Sequence, residues 1–180
     1  AMGQTTRHGW YWSGDLGYVD AEGWVFFAGR TADWLRVDGE SFPAAPIEAI
    51  VGRHPDVLLA SVYGVPDPDA GDQVMVALVL RAGAAFDGAS FASWLDAQGD
   101  LGPKWQPRFV RVSAALPITP TNKVITRTLV HEKFRHDRVG GDPVYQRRRG
   151  EDVFGAFSGS DESSLRRAFE RSGRSAAWDL

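Results

Sequence analysis

Two long apolar runs, separated by one turn, constrain the fold more than any other feature of this 180-residue chain. Val57 to Val65 is almost continuously apolar, and Val74 to Leu80 is a second run of the same kind. Pro66 to Gly71, between them, is rich in proline, aspartate and glycine, which interrupt regular structure. We therefore predict two antiparallel strands in a sheet that helices cover on one face.

Shorter patterns on either side of these runs complete a domain of α+β class, with a small, mostly antiparallel three-stranded sheet and flanking helices. Phe109 to Val112 is the predicted third strand. Ser90 is the predicted N-cap of a helix that ends near Gln98, with an apolar face that begins at Phe91. Two further helices are predicted, from about Ala44 to Arg53 and from Val124 to Arg135.

An aromatic-rich segment before this domain has the pattern of a β-hairpin. Tyr18 to Asp20 and Trp24 to Phe27 are the strands, and Gly23 can supply the positive φ that the turn requires. An isolated two-stranded hairpin is only marginally stable in water. We therefore expect this hairpin to belong to a missing N-terminal domain, and its open edges to pair with a second copy of the chain when that domain is absent.

The last part of the chain loses the regular patterns of the domain. Gln146 to Arg149 is a basic patch with the character of a solvated tail. Phe154 to Ser160 is rich in glycine and serine, as flexible linkers are, and Glu162 to Arg171 can form a short helix. We expect residues 141–180 to be a partly flexible C-terminal extension.

Composition excludes several functional classes. The chain has no cysteine, which rules out disulfides, thiolate metal sites and a cysteine nucleophile. Its net charge of -3 gives no general attraction to nucleic acid. The four histidines lack metal-ligand spacing, and we predict no metal site in this chain. We find no bilayer-spanning apolar run, and we expect a cytoplasmic location, with peripheral contact to a membrane left open.

Four stretches carry a further pattern, in a fixed order along the chain. They are Trp10-Tyr11-Trp12-Ser13-Gly14-Asp15-Leu16-Gly17, Gly29-Arg30-Thr31-Ala32-Asp33, Gly39-Glu40-Ser41-Phe42-Pro43 and Leu116-Pro117-Ile118-Thr119-Pro120-Thr121-Asn122-Lys123. Together they resemble the motifs of adenylate-forming enzymes, over roughly Gly9 to Arg135. The chain is similar to the C-terminal domain of an acyl-CoA synthetase, of the fatty-acid-CoA ligase and fatty-acid-transport-protein branch.

The resemblance implies a division of the chain. Residues 1–3 look like a cloning remnant. Residues 4–32 would be the end of the N-terminal adenylation domain with its hairpin and hinge, and residues 33–140 the mobile C-terminal domain. The rest of the adenylation domain is the partner expected in the same chain.

The resemblance also implies a reaction. A long-chain, very-long-chain or sterol-side-chain carboxylate would react with ATP to give an acyl-adenylate, and coenzyme A would then displace AMP. Mg2+ would act with the N-terminal domain. The isolated domain is expected to be inactive.

Single residues inherit roles from the motifs they match. Lys123 would be the catalytic residue, placing positive charge on the carboxylate and α-phosphate. Asp15 would accept hydrogen bonds from the ribose hydroxyls, and Arg30 would hold the ribose or the neighbouring phosphate, so both would bind ATP and AMP. Asp33 would be the hinge residue. Gly39 and Glu40 would bind coenzyme A, with Gly39 allowing the pantetheine arm to approach.

Two alternatives stay open at this point. An acyl-AMP ligase or peptide-synthetase adenylation domain would pass the acyl group to a carrier protein. A non-catalytic interaction module would keep the fold alone, although the retention of Asp15 and Lys123 counts against it. Asn122 stands where the family usually has glycine, and asparagine tolerates the left-handed backbone that such a loop needs.

Overall fold

The computed structural model describes residues 6–7, 10–11, 13–30 and 34–179. Its strands are β1 (Thr6–Arg7), β2 (Trp10–Tyr11), β3 (Asp15–Val19), β4 (Val25–Arg30), β5 (Trp34–Val37), β6 (Glu40–Pro43), β7 (Val57–Pro66), β8 (Asp72–Leu80), β9 (Phe109–Val112), β10 (Val144–Gln146) and β11 (Gly155–Ala156). Its helices are α1 (Ala45–Val51), α2 (Gly88–Asp96), α3 (Thr126–Glu132), α4 (Gly159–Arg171) and α5 (Ser175–Asp179). No helix among these residues is long and apolar enough to cross a membrane.

The main sheet confirms the predicted α+β class. It has five strands rather than three, in the order β11-β10-β9-β8-β7. The β7–β8 pair is antiparallel, as predicted, whereas β9 runs parallel to β8. A parallel neighbour needs a crossover connection, and the segment that contains α2 provides it. The two additional strands come from the segment that the sequence analysis assigned to the extension.

Both faces of the sheet are covered, so the prediction of one covered face was wrong. Val74, Val76 and Leu78 of β8 lie in one apolar cluster with residues of α1 and α2. Met75 and Ala77 lie in a second cluster, with residues of α3, α4 and α5. A strand that is buried on both faces has a continuous apolar sequence instead of an alternating one. The unbroken run of β8 is therefore the sequence signature of this arrangement.

The C-terminal segment packs into the second cluster. This finding corrects the expectation of a flexible linker from Phe154 to Ser160. Phe157, Phe169 and Trp178 are each at most 4% exposed. Phe157 lies edge-on to Phe109 of β9, with ring centroids 5.5 Å apart. Ser158 begins α4 with a capping box that it shares with Asp161. Phenylalanines spaced among small residues anchor this segment, although its composition resembles that of a linker.

A buried lysine joins α5 to the end of α3. Lys133 is 4% exposed, and its backbone φ of +54° turns the chain sharply after α3. Its Nζ donates hydrogen bonds to the carbonyl oxygens of Ala177 (2.8 Å) and Trp178 (3.2 Å). Burial lowers the pKa of Lys133, with a smaller contribution from Arg138. These bonds satisfy carbonyl groups at the C-terminal end of α5, which would otherwise lack partners.

A partly buried ion cluster fixes α3 against the sheet. Arg111 of β9 contacts Glu132 at the end of α3 (2.5 Å) and Asp142 ahead of β10 (2.8 Å). Ser113 Oγ also donates to Asp142, at 2.5 Å. Removing one member of a buried ion pair is costly, because the remaining charge is left without compensation. This cluster therefore holds α3, and the loop that leads into it, in a defined place.

Local predictions are confirmed in most places and corrected in two. The hairpin β3–β4 forms as expected, and Gly23 has φ +88°. A second hairpin, β5–β6, follows it. The predicted N-cap at Ser90 was wrong. Asp87 caps α2 instead, because its Oδ1 accepts the Ser90 N–H at 2.7 Å. The predicted helix from Val124 to Arg135 forms only from Thr126 to Glu132, since Lys133 leaves the helical conformation.

The burial of α4 gives a first prediction. Replacing Phe169 by alanine should lower the free energy of unfolding by about 3–5 kcal/mol, because a fully buried ring leaves a cavity. Urea unfolding of the Phe169→Ala variant and of the parent chain measures this difference in unfolding free energy. Leu58→Ala is the control, since Leu58 is 59% exposed. Equal unfolding free energies for the two variants would contradict the packing of the C-terminal segment.

Candidate functional site

The loop before α3 is a closed turn that presents Lys123. Ile118 and Val124 form an antiparallel bridge at its base. Thr119 N–H donates to Lys123 O (2.8 Å), and Thr119 Oγ1 accepts from Lys123 N–H (3.1 Å). Asn122 has φ +60°, so it adopts the left-handed conformation expected for the position that precedes the lysine. Five backbone positions are thus fixed by hydrogen bonds and one special torsion.

The Lys123 side chain is exposed. Within residues 13–30 and 34–179 its ammonium forms no hydrogen bond or ion pair, whereas Lys133 has two carbonyl partners. A charge that is held on a rigid turn and left uncompensated by its own domain is available to a ligand or to another domain. This arrangement suits electrostatic stabilisation of a developing negative charge, because the backbone that carries it is already fixed.

Asp15 and Arg30 occupy one register position of the first hairpin. Asp15 begins β3, and its Cα pairs with that of Arg30 at the end of β4. Asp15 is exposed, and its N–H donates to Ser13 Oγ at 3.1 Å. The structure thus brings together two residues that lie 15 positions apart in the sequence. The side chain of Arg30 and the whole of Asp33 lie outside the described residues.

Gly39 and Glu40 lie at the turn of the second hairpin. Asp38 (φ +46°) and Gly39 (φ +81°) are its two central residues, and both have the positive φ of a tight hairpin turn. A Cβ built on Gly39 meets no atom of the described residues within 4 Å. The glycine is therefore required by its torsion angle here, and the space beside it is open.

Ion pairs tie this turn to later parts of the chain. Glu40 Oε1 accepts from Lys104 Nζ at 2.6 Å. Asp38 pairs with Arg149 at 3.0 Å. The basic patch is therefore not a solvated tail: Arg147 also pairs with Asp96 (2.7 Å). The run of three arginines was visible in the sequence, but the carboxylate partners of Arg147 and Arg149 lie 51 and 111 positions away and could not be assigned from spacing.

Lys123, the Asp15–Arg30 pair and the Gly39 turn lie on three separate segments. No group of three histidine, cysteine or acidic residues in the described part of the chain could hold a metal ion. What the three segments share is an exposed polar group on a well-defined turn or strand end. Such a surface can complete a site on another domain.

Comparison with known proteins agrees with this picture. Residues 46–123 match the model of the AMP-binding enzyme C-terminal domain. The chain belongs to the adenylate-forming enzymes, of which it carries the C-terminal domain. The match ends at Lys123, on the turn described above.

Two relatives with assigned names are similar over much of the chain. The steroid-22-oyl-CoA synthetase of Rhodococcus jostii is 47% identical over 97% of this chain. The medium/long-chain-fatty-acid–CoA ligase FadD17 of Mycobacterium tuberculosis is 52% identical over 78% of it. The chain spans only 31% and 27% of the lengths of these adenylate-forming relatives.

Solved structures of adenylate-forming enzymes share the fold. ATP-bound MatB from Rhodopseudomonas palustris is 31% identical with a TM-score of 0.60, over 67% of this chain and 24% of that one. The o-succinylbenzoate CoA synthetase MenE from Bacillus subtilis, in complex with its acyl-adenylate intermediate, is 28% identical with a TM-score of 0.61. The matched region is 69% of this chain and 25% of the MenE chain.

The Asn122 torsion gives a second prediction. Asn122→Gly should keep the unfolding free energy within about 0.5 kcal/mol, since glycine adopts positive φ freely. Asn122→Val should lower it by about 1–2 kcal/mol, because a β-branched residue is strained there. Chemical denaturation of both variants measures the difference. If valine proved as stable as glycine, the left-handed conformation at this position would be wrong.

Proposed function

We propose that this chain is the C-terminal part of an ATP-dependent acyl-CoA ligase that acts on a long-chain or very-long-chain fatty acid or on a sterol side-chain carboxylate. The observation that carries the proposal is the uncompensated ammonium of Lys123 on its closed turn, in a chain of the adenylate-forming family. Ligase names among the relatives support the reaction class.

The reaction has two halves. A substrate carboxylate attacks the α-phosphorus of ATP, which forms the acyl-adenylate and releases pyrophosphate. The sulfur of coenzyme A then attacks the acyl carbon, which forms the thioester and releases AMP, while the thiol proton goes to solvent. Lys123 acts in the first half, where its positive charge offsets negative charge that gathers between carboxylate and phosphate.

The other candidate residues divide between the two halves. Asp15 and Arg30 contact the ribose and the adjoining phosphate of ATP and AMP. Asp33 is the hinge at which residues 33–140 rotate relative to residues 4–32 between the two steps. Gly39 and Glu40 then face coenzyme A. Mg2+ accompanies ATP on the larger adenylation domain, so the chain alone has no ligase turnover.

The extent of one sequence match favours a sterol side-chain carboxylate over a fatty acid as the substrate. The similarity to the steroid-22-oyl-CoA synthetase covers 175 residues and therefore includes most of the C-terminal segment. The similarity to the fatty-acid ligase FadD17 covers 141 residues. A sterol carboxylate is thus the first substrate to test, with long-chain fatty acids second.

Lys123→Ala in the full-length enzyme tests the proposal. We expect acyl-adenylate formation to slow by roughly a hundred- to a thousandfold, as when one preorganised donor is removed from a site of this kind. Carboxylate-dependent exchange of pyrophosphate into ATP measures this half-reaction. Arg53→Gln is the matched control, because Arg53 is an exposed cation that pairs with Asp100. Exchange at the normal rate in the lysine variant would contradict the proposed role.

Gly39→Asn tests the second half-reaction separately. Asparagine tolerates the positive φ of this position, and a Cβ added there meets no described atom within 4 Å, so the turn should fold. The added side chain should obstruct coenzyme A and slow thioester formation from acyl-adenylate by roughly a hundredfold. Pyrophosphate exchange should stay normal. Normal thioester formation would remove Gly39 from the coenzyme A path.

A further inference from the structure

The helix that follows the Lys123 turn has little stability of its own. α3 has seven residues, and isolated helices shorter than about 12–15 residues are marginally stable in water. Its N-cap is Ile125, an apolar residue whose side chain cannot accept a hydrogen bond. Of the seven described residues of α3, Leu129 is the one that is buried. The position of α3 therefore depends on the elements packed around it.

The Lys123 turn is attached directly to α3. Val124 and Ile125 are the residues that separate Lys123 from the start of the helix. Ile125 N–H donates to Pro117 O at 2.7 Å, which ties the helix N-cap to the first leg of the turn. Val124 packs on the same apolar cluster as Leu129. Because the connection is this short, a displacement of α3 moves the backbone that carries the lysine.

Two cations just beyond α3 bind the C-terminal end of α5. Lys133 Nζ donates to two carbonyl groups of α5, at 2.8 and 3.2 Å. Arg138 Nη1 donates to His131 O of α3 at 2.9 Å, and its Nη2 donates to Asp179 O of α5 at 3.3 Å. The carbonyl end of a helix carries partial negative charge, so a cation is favoured there. One guanidinium thus joins the ends of both helices.

Aromatic contacts fix α5 at the same place. Trp178 of α5 is 4% exposed. The centroid of its ring lies 5.6 Å from that of Phe134 and 5.6 Å from that of Phe169 in α4. The guanidinium of Arg135 lies over the same indole, 5.3 Å from its centroid. The residues that follow α3 therefore contact α5 through both rings and charges.

The contacts with α5 add to those that α3 makes with the sheet. Leu129 and the Glu132–Arg111 ion pair attach α3 to the sheet side. Lys133 and Arg138 attach its C-terminal end to a different element. A helix that is held on two sides cannot tilt about one of them, so the turn before it stays in one orientation. Catalysis by a fixed charge depends on such preorganisation.

We propose that α5 positions Lys123: by binding Lys133 and Arg138 it holds α3, and α3 holds the turn that carries the lysine. Lys133 and Arg138 are then positioning residues for the first half-reaction. The proposal rests on the proposed function of Lys123 and deepens it. Helix α5 lies outside residues 46–123, which match the family domain, so the family match does not supply this role.

Lys133→Met in the full-length enzyme tests the proposal. Methionine keeps an unbranched side chain but removes the ammonium, so two carbonyl groups of α5 lose their partner. We expect carboxylate-dependent pyrophosphate exchange to slow by roughly tenfold, since a small misplacement of a catalytic group is costly. Thioester formation from supplied acyl-adenylate should stay within about twofold, because Lys123 does not act in that half-reaction. A general loss of folded enzyme would slow both half-reactions in proportion.

Two further variants complete the design. Arg138→Gln is the milder change, since Arg138 is partly exposed, and it should slow pyrophosphate exchange by roughly two- to fivefold with the same selectivity. Arg174→Gln is the matched control. Arg174 lies between α4 and α5 and also donates to a carbonyl, Gly71 O at 3.3 Å, but that carbonyl belongs to the turn between β7 and β8. Both half-reactions should be unchanged in this variant.

Amide hydrogen exchange of the same full-length variants measures the coupling itself. Lys133→Met should raise exchange over residues 118–132, because opening of α3 becomes easier when α5 no longer holds it. Peptides from β7 and β8 should keep the parent rate, which establishes that the domain is folded. Arg174→Gln should leave exchange over residues 118–132 unchanged.

Three results would overturn the proposal. One is normal pyrophosphate exchange in the Lys133 and Arg138 variants when Lys123→Ala is slow. Another is equal slowing of both half-reactions, which would indicate a role in stability alone. The third is unchanged hydrogen exchange over residues 118–132 in Lys133→Met. Failure of the proposed function has a different signature: Lys123→Ala would itself exchange pyrophosphate at the normal rate.

Discussion

Strand β8 is buried on both of its faces, and the positions of most other elements follow from this constraint. Val74, Val76 and Leu78 contribute to one apolar cluster, and Met75 and Ala77 to the other. Because each face must be covered, α1 and α2 pack on one side, and α3, α4 and α5 on the other. The parallel partner β9 follows, since the crossover through α2 returns the chain to the far edge of β8. Burial on this scale is the main favourable contribution to such a fold.

The candidate functional residues lie on turns and strand ends that this core supports. The turn of Lys123 leads into α3, which Arg111 and Glu132 hold against the sheet. The turn of Gly39 joins two strands whose Leu35 and Phe42 are buried in the first cluster. A rigid core with exposed polar turns suits a domain that presents different surfaces to a partner. The C-terminal segment extends the core by adding β10, β11 and two helices.

Much of the fold could be predicted from the sequence because its strongest signals are local. Gly23 and Asn122 each mark a turn by the torsion angle they tolerate, and each has the positive φ expected. The apolar runs of β7 and β8 marked the long antiparallel pair at one end of the sheet. The second covered face was also encoded in the unbroken run of β8, but a three-stranded sheet with one covered face was the simpler reading of the pattern.

The rest depended on contacts between distant residues. Phe157, Phe169 and Trp178 pack on β9 and α3, and a segment rich in glycine and serine gives no local sign of this. Arg147 and Arg149 stand in the sequence as part of one basic run, and their pairs with Asp96 and Asp38 are visible only in the structure. The motif residues Asp15, Gly39 and Lys123 could be identified without knowing any contact between distant residues. The resemblance that supplied them depends only on the local order and spacing of residues within each motif.

The measurement that tests the central claim most directly is AMP formation by the full-length protein. ATP is supplied with a panel of sterol side-chain and long-chain fatty carboxylates, with and without coenzyme A. The account predicts AMP release that requires both a carboxylate of this panel and coenzyme A. AMP formation that proceeds equally without coenzyme A would indicate transfer to a carrier protein, and no AMP with any acid would indicate a non-catalytic module; either result would contradict the account.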